Sequence, residues 1–221
     1  MRIGLFGGTF NPIHNGHLWA ASKVKDGFNL DRVYLIPAAV PPHKTAGTLA
    51  DADDRLQMIN SAIAGLSGIS VADVELRRPG PSYTIDTVRH FKKELPNDSR
   101  IFLMVGLDAF LEIDTWKSYR ELLGQIAVIV MARPVETCPD THQSRKVFED
   151  YLKTTLSENY KLSAAGDSYT ARGKHPIYFC DVKALDISST LIRKKVKAMQ
   201  PIESWVPPQV AEYIQLKGLY A

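Results

Sequence analysis

Short runs rich in β-branched and aromatic residues alternate along the chain with segments of helical length: RIGLF (2–6), RVYLIP (32–37), ISVADVEL (69–76), RIFLMVG (100–106) and IAVIVMA (126–132) are the strand-like runs. Between them, HLWAASKVKDGF (17–28), ADDRLQMINSAIAGL (52–66) and TIDTVRHFKKEL (84–95) carry apolar residues at a spacing near 3.6, the period of a helix with one buried face. A strand such as IAVIVMA has no polar side for water, so both its faces must be covered. Strands of that kind joined by helices belong in a parallel sheet, and such sheets bind ligands beyond the carboxyl ends of their strands.

The expected fold class is therefore α/β: a Rossmann-like, doubly wound parallel sheet with helices on both faces. The second half is less regular. Residues 133–176 hold a helix candidate around SRKVFEDYLKTTL (144–156) and then a polar stretch, KLSAAGDSYTARGKHP, read as a surface elaboration. The strand candidate PIYFCDV (176–182) follows, then helix candidates SSTLIRKKVKAM (188–199) and PPQVAEYIQLKGL (207–219), the latter with Pro at its start and Gly near its end. The expectation is a single domain over 1–221, with 133–176 as the elaboration and 186–221 as a small C-terminal helical portion.

With 221 residues and 45% hydrophobic side chains, the chain can bury a substantial core. Its 27 basic and 24 acidic residues are scattered and leave a formal net charge of only +3, so no basic arm argues for nucleic acid. The apolar run IAVIVMA is far too short to span a bilayer, and Gly7 and Gly8 interrupt any signal-peptide pattern. Cys138 and Cys180 stand far apart in no CxxC spacing, which fits a reducing compartment. A soluble, cytoplasmic protein is expected, with small-molecule partners, no nucleic acid, no membrane, and a homo-oligomer left open.

The hand-over from first strand to first helix is GGTFNPIHNGH, residues 7–17. Gly7 and Gly8 let the backbone turn tightly and expose N–H groups, those of Thr9 and Phe10 among them. Pro12 sets a bend before a helix expected to begin near Asn15 or Gly16. A helix start offers unpaired N–H groups and the positive end of its dipole, so the arrangement is an anion site. His14 and His17, three apart, reach one ligand if the helix starts near His14, and imidazoles donate to phosphoryl oxygens. The residues alone leave other readings open: a plain turn, surface histidines, or zinc ligands with His43, although no nearby Cys or carboxylate completes a zinc set.

Near the other end of the sequence stands DISSTLIR, 186–193. Ser188, Ser189 and Thr190 are helix-capping types, and Arg193 one turn on adds a planar fork suited to phosphate oxygens. Alone it could equally be an ordinary capped helix with a solvated basic face, RKKVK. Together the two segments resemble the HxGH and ISSTxIR motifs of the nucleotidyltransferase superfamily, the adenylyl- and cytidylyltransferases. The resemblance implies ATP binding by Gly7, Gly8, Thr9, Phe10, His14, His17, Ile187, Ser188, Ser189, Thr190 and Arg193.

Three further segments, VPPHK (40–44), PSYTIDT (81–87) and GLDAFLEIDTW (106–116), extend the likeness over nearly the whole chain. In that order they resemble the bacterial nicotinate mononucleotide adenylyltransferases. The implied reaction is ATP plus nicotinate mononucleotide giving nicotinate adenine dinucleotide and pyrophosphate, a step of NAD biosynthesis. The implied catalytic set is His14, His17, Lys44 and Arg193. Gly8, Lys44, Thr84, Asp108, Trp116, Lys117 and Arg133 would bind the mononucleotide, with Trp116 stacked on the pyridine ring and N–H groups near Thr84 and Lys117 receiving its carboxylate. Mg²⁺ would come with ATP, and no protein metal site is expected; Asn11 stands where many members carry Asp. The alternatives are a nicotinamide mononucleotide or other small-phosphate adenylyltransferase, a catalytically silent nucleotide sensor, and an RNA-binding relative of the synthetases, the last disfavoured because no KMSKS-like stretch is present.

Overall fold

The computed structural model describes residues 1–39, 49–132, 141–182, 185 and 187–221. Its centre is an eight-stranded sheet. β1 (Arg2–Gly8) lies parallel to β2 (Arg32–Pro37) on one side and to β4 (Arg100–Gly106) on the other. Outward from β2 comes β3 (Ile69–Val71), and outward from β4 come β5 (Ala127–Ala132) and β8 (Ile177–Asp181), all parallel. Two short antiparallel strands, β7 (Tyr169–Thr170) and β6 (Lys161–Leu162), finish that edge, giving the order β3-β2-β1-β4-β5-β8-β7-β6. The expected α/β, doubly wound architecture is what the chain adopts.

The order reverses at β1, and there the ladders are unequal. β1 stays registered with β2 as far as Gly8 opposite Pro37, but its register with β4 ends at Phe6 opposite Met104. β4 itself continues against β5 to Gly106 opposite Met131. Gly7 and Gly8 thus diverge from Val105 and Gly106, and a crevice opens at the carboxyl ends of the two central strands.

Both faces of the sheet are covered because strand side chains alternate. Ala127, Ile129 and Met131 of β5 join a core with α1 (Asn15–Gly27), α2 (Ala52–Ile63), α8 (Ser189–Lys197) and α9 (Pro208–Lys217). Val128, Val130 and Ala132 face the other core, under α4 (Thr84–Glu94), α5 (Leu107–Phe110), α6 (Tyr119–Leu123) and α7 (Thr141–Tyr151). Among the described residues no helix is long and apolar enough to cross a membrane.

One element departs from the sequence reading. The run 69–76, expected as a single strand, stops at Val71, and Val74–Arg77 forms one helical turn, α3. Ala72 N–H still donates to Leu35 O, but Asp73 then accepts from Arg77 Nε at 2.8 Å, closing a local turn. Glu75 points inward instead of continuing the alternation, and its Oε1 accepts from Thr87 Oγ1 at 2.6 Å.

Candidate active site

Two cavities occupy the crevice between β1 and β4. One, of about 350 Å³, is bounded by His14, His17, Asp108 and Ile187. The other, of about 210 Å³, is bounded by Glu75, Ser82, Thr84 and Trp116. Gly7, Gly8, Thr9, Gly106 and Ala109 line both, so the compartments adjoin across the end of β1, where Gly7 and Gly8 stay in the strand and the expected tight turn comes later, at Asn11 and Pro12.

The histidine cavity is built from the first turn of α1. The helix begins at Asn15 with His14 in the extended cap position, and the His14 and His17 rings stack with centroids 3.7 Å apart. His14 is 3% exposed and His17 half-buried. Phe10 turns its ring beneath them, 5.0 Å from His17 and 5.8 Å from Phe6, both edge-on. Phe10 adopts φ +47°, a left-handed conformation that costs a non-glycine residue on the order of 1–3 kcal/mol and persists where packing enforces it. Two glycines make the packing possible: a Cβ on Gly8 would lie 3.0 Å from the Phe10 ring, and one on Gly16 would lie 3.0 Å from His14 Nδ1.

The second motif meets this loop from across the chain. Ser188 caps α8, its Oγ accepting from Leu191 N–H at 3.2 Å. Ser189 Oγ donates to Pro12 O at 2.9 Å, and Arg193 Nη1 donates to Asn11 O at 2.8 Å. Asn15 N–H, at the start of α1, donates to Trp205 O at 2.9 Å, adding a third tie. Thr190 and Arg193, with Lys194 and Lys197, also border a further hollow of about 530 Å³ beside Ala50 and Tyr220. Ile187 lines the histidine cavity, so the second motif reaches its wall.

On the other side, Trp116 is half-buried against the α4 core and faces the smaller cavity. Thr84 opens α4 on the wall of the smaller cavity, where Tyr83 at the cap position supplies no side-chain cap and its carbonyl accepts from Asp86 N–H at 3.1 Å. The Lys117 side chain is drawn away: Nζ donates to Asp86 Oδ2 at 3.2 Å and sits 4.3 Å from the Tyr83 ring centroid. Asp108 borders the histidine cavity and not the cavity of Thr84 and Trp116. His43, Lys44, Arg133 and Cys138 lie outside the described residues.

Several polar residues support the site without having been assigned a role in it. Ser82 Oγ accepts from Ala39 N–H at 2.9 Å, joining the end of β2 to the start of α4. Glu75 and Thr87 form the buried pair under the smaller cavity, and Arg78 Nη2 donates to Thr87 Oγ1 at 3.3 Å. Arg55, 1% exposed, donates from Nη1 to Thr9 O at 3.0 Å and to Ala38 O at 2.7 Å. A sequence signal for it exists: Arg55 takes the first position of the buried stripe Arg55, Met58, Ile59 and Ala62 on α2. Burial pulls its guanidinium below the usual value, and Tyr220 and Asp51 push the other way.

The cytidylyltransferase-like family model matches residues 5–195. A probable nicotinate-nucleotide adenylyltransferase of Desulfatibacillum aliphaticivorans is 42% identical over 100% of both chains. Another, of Geobacter sp. (strain M21), is 40% identical over 100% of this chain and 98% of the relative. Among solved structures, the Plasmodium falciparum nicotinic acid mononucleotide adenylyltransferase complexed with NaAD superposes with a TM-score of 0.72 at 19% identity, covering 99% of this chain and 97% of that one. The same Plasmodium protein complexed with APC gives 0.70 at 19% identity, covering 99% and 96%. At that identity the structural likeness speaks for the fold.

Proposed function

The chain belongs to the nicotinate-nucleotide adenylyltransferases of the cytidylyltransferase-like family, and we propose that its reaction runs in the paired cavities between β1 and β4. The enzyme transfers the adenylyl group of ATP to nicotinate mononucleotide, forming nicotinate adenine dinucleotide and releasing pyrophosphate, in NAD biosynthesis. A phosphate oxygen of the mononucleotide attacks the α-phosphorus, the bond to the bridging oxygen breaks, and its electron pair leaves with pyrophosphate. The nucleophile is already an anion, so no proton has to be removed. The barrier lies in aligning two anions and spreading the charge that develops.

In this reading His14 and His17 donate to the α-phosphate and gain strength as it becomes pentacoordinate, assisted by the N–H groups of Thr9 and Phe10 just beyond the end of β1. Ser189, Thr190 and Arg193, with Ile187 and the Ser188 cap behind them, hold the departing pyrophosphate together with Lys44. Trp116 stacks on the pyridine ring, and the amides near Thr84 and Lys117 take its carboxylate. Asp108 serves the nucleotide side of the crevice, and Arg133 the mononucleotide. Bound with ATP, Mg²⁺ would supply charge neutralisation on its phosphates. Asn11 is poorly suited to ligate it, because its Oδ1 already accepts from Ala50 N–H at 3.0 Å and Tyr220 O–H at 2.7 Å. A reducing cytoplasm suits Cys180, a free, half-buried thiol whose pKa burial raises to about 11.

The observation that carries the reading is the junction of residues 9–17 with 187–193, Ser189 Oγ to Pro12 O and Arg193 Nη1 to Asn11 O, with Ile187 on the wall of the histidine cavity. Pyrophosphate release from ATP with each pyridine mononucleotide in turn tests it. Turnover with nicotinate mononucleotide well above that with nicotinamide mononucleotide is expected, because backbone N–H groups favour a carboxylate over an amide. ATP binding without pyrophosphate release for any acceptor would leave a nucleotide sensor in its place.

A further inference from the structure

The phosphate loop is gripped from behind as well as lined from in front. Its carbonyls at Thr9, Asn11 and Pro12 accept from Arg55 at 3.0 Å, Arg193 at 2.8 Å and Ser189 at 2.9 Å respectively. The Asn11 side chain, only 5% exposed, adds a fourth hold through its Oδ1. That oxygen accepts from Ala50 N–H at 3.0 Å and from the Tyr220 hydroxyl at 2.7 Å. Ala50 is fixed in turn, because its carbonyl accepts from Arg55 Nε at 3.0 Å.

Tyr220 is held in place to make this contact. It follows α9 in a left-handed conformation, φ +68°, and α9 is tied to α2 by Tyr213 O–H donating to Asp54 Oδ1 at 2.9 Å. Burial pushes the phenol above its usual pKa, so it remains a hydrogen-bond donor at neutral pH. Asn11 sits between Phe10 and Pro12, so a rotation of its side chain is transmitted to the Phe10 and Asn11 peptides. Those peptides adjoin the Thr9 and Phe10 N–H groups assigned to the α-phosphate and set the approach to His14, and in such chemistry a misplacement of about 1 Å costs about a hundredfold.

We propose that Tyr220 is a positioning residue for adenylyl transfer, acting through Asn11 to fix the orientation of the phosphate loop. This rests on the reaction assigned above. It differs from the roles given to the motif residues, because Tyr220 belongs to neither motif and reaches the loop through the Asn11 side chain.

The test compares the full chain with Tyr220→Phe, Asn11→Ala and the double variant, measuring kcat, KM for each substrate, and Tm. Removing only the hydroxyl is expected to lower kcat about tenfold while KM for the mononucleotide and Tm stay near those of the unaltered chain. The double variant is expected to be no slower than Asn11→Ala, because one relay is broken only once. A Tyr220→Phe kcat within twofold of the unaltered chain, or losses that multiply in the double variant, would overturn the proposal. An unaltered chain that releases no pyrophosphate would instead sink the reaction on which it stands.

Discussion

Ser189 Oγ donates to Pro12 O at 2.9 Å, joining positions 177 residues apart and fixing the start of α8 against the histidine loop. The bond makes Ser189 a strut for the loop beside the phosphate contact proposed for it. Ser189→Ala is expected to lose about 1 kcal/mol of stability. That corresponds to a fall in Tm of roughly 2–4 °C for a chain of this size, and KM for ATP should rise with it. Thermal unfolding and steady-state kinetics on the same preparation check both; a change in neither would remove Ser189 from both roles.

His17→Ala is expected to lower kcat by about two to three orders of magnitude with only a small change in KM for ATP. Donors aimed at developing charge act mainly in the transition state. Single-turnover pyrophosphate release is the measurement, and near-normal turnover would exclude His17 from the chemistry.

Trp116→Ala should act on the other substrate. Loss of a stacking face is worth about 1–3 kcal/mol for a flat heteroaromatic ring, roughly a tenfold or larger rise in KM for nicotinate mononucleotide, with KM for ATP unaffected. Unchanged kinetics for both substrates would rule out the stack.

Gly16→Ala separates helix stability from site geometry. Alanine in a helix is ordinarily better than glycine by about 0.5–1 kcal/mol. At this position, however, the added Cβ meets His14 Nδ1 at 3.0 Å and must move the ring. An undiminished Tm with reduced kcat is expected; retention of full kcat would show that the His14 ring can shift without consequence.

Tyr160, 3% exposed, buries a hydroxyl that has no hydrogen-bond partner among the described residues, and burial raises its pKa to about 12. Tyr160→Phe is expected to leave stability unchanged or raise it by about 1 kcal/mol at neutral pH. The unfolded chain gives up the phenolic proton near pH 10 and the folded chain near pH 12, so the folded state holds more protons between them. Tyr160 therefore withdraws stability as pH rises across that window, and the Phe variant should lack the decline in urea melts at pH 9 to 12.

Much of the site could be read from residue order. Two glycines and two histidines after a short strand, and a Ser-Ser-Thr cap near the other end, each announce an anion site through types that local rules reward. Arg55 and Tyr220 escaped because their acceptors are carbonyls and an amide oxygen, which any sequence supplies; only the fold decides which are near. β3 is shorter than its apolar run suggests because the reason for its end, a partner for Glu75, is Thr87 on another helix. Asp108 follows β4 in the same segment as Trp116, and nothing in their spacing says that the short helical turns between them send the two into different cavities.

The early parting of β1 from β4 makes the opening a property of the main chain. Side-chain substitutions along the crevice can change what it accepts, but they do not supply the vacant space. Were the same two strands zipped together for another pair of residues, a chain bearing every motif intact would have a seam where its substrates must lie.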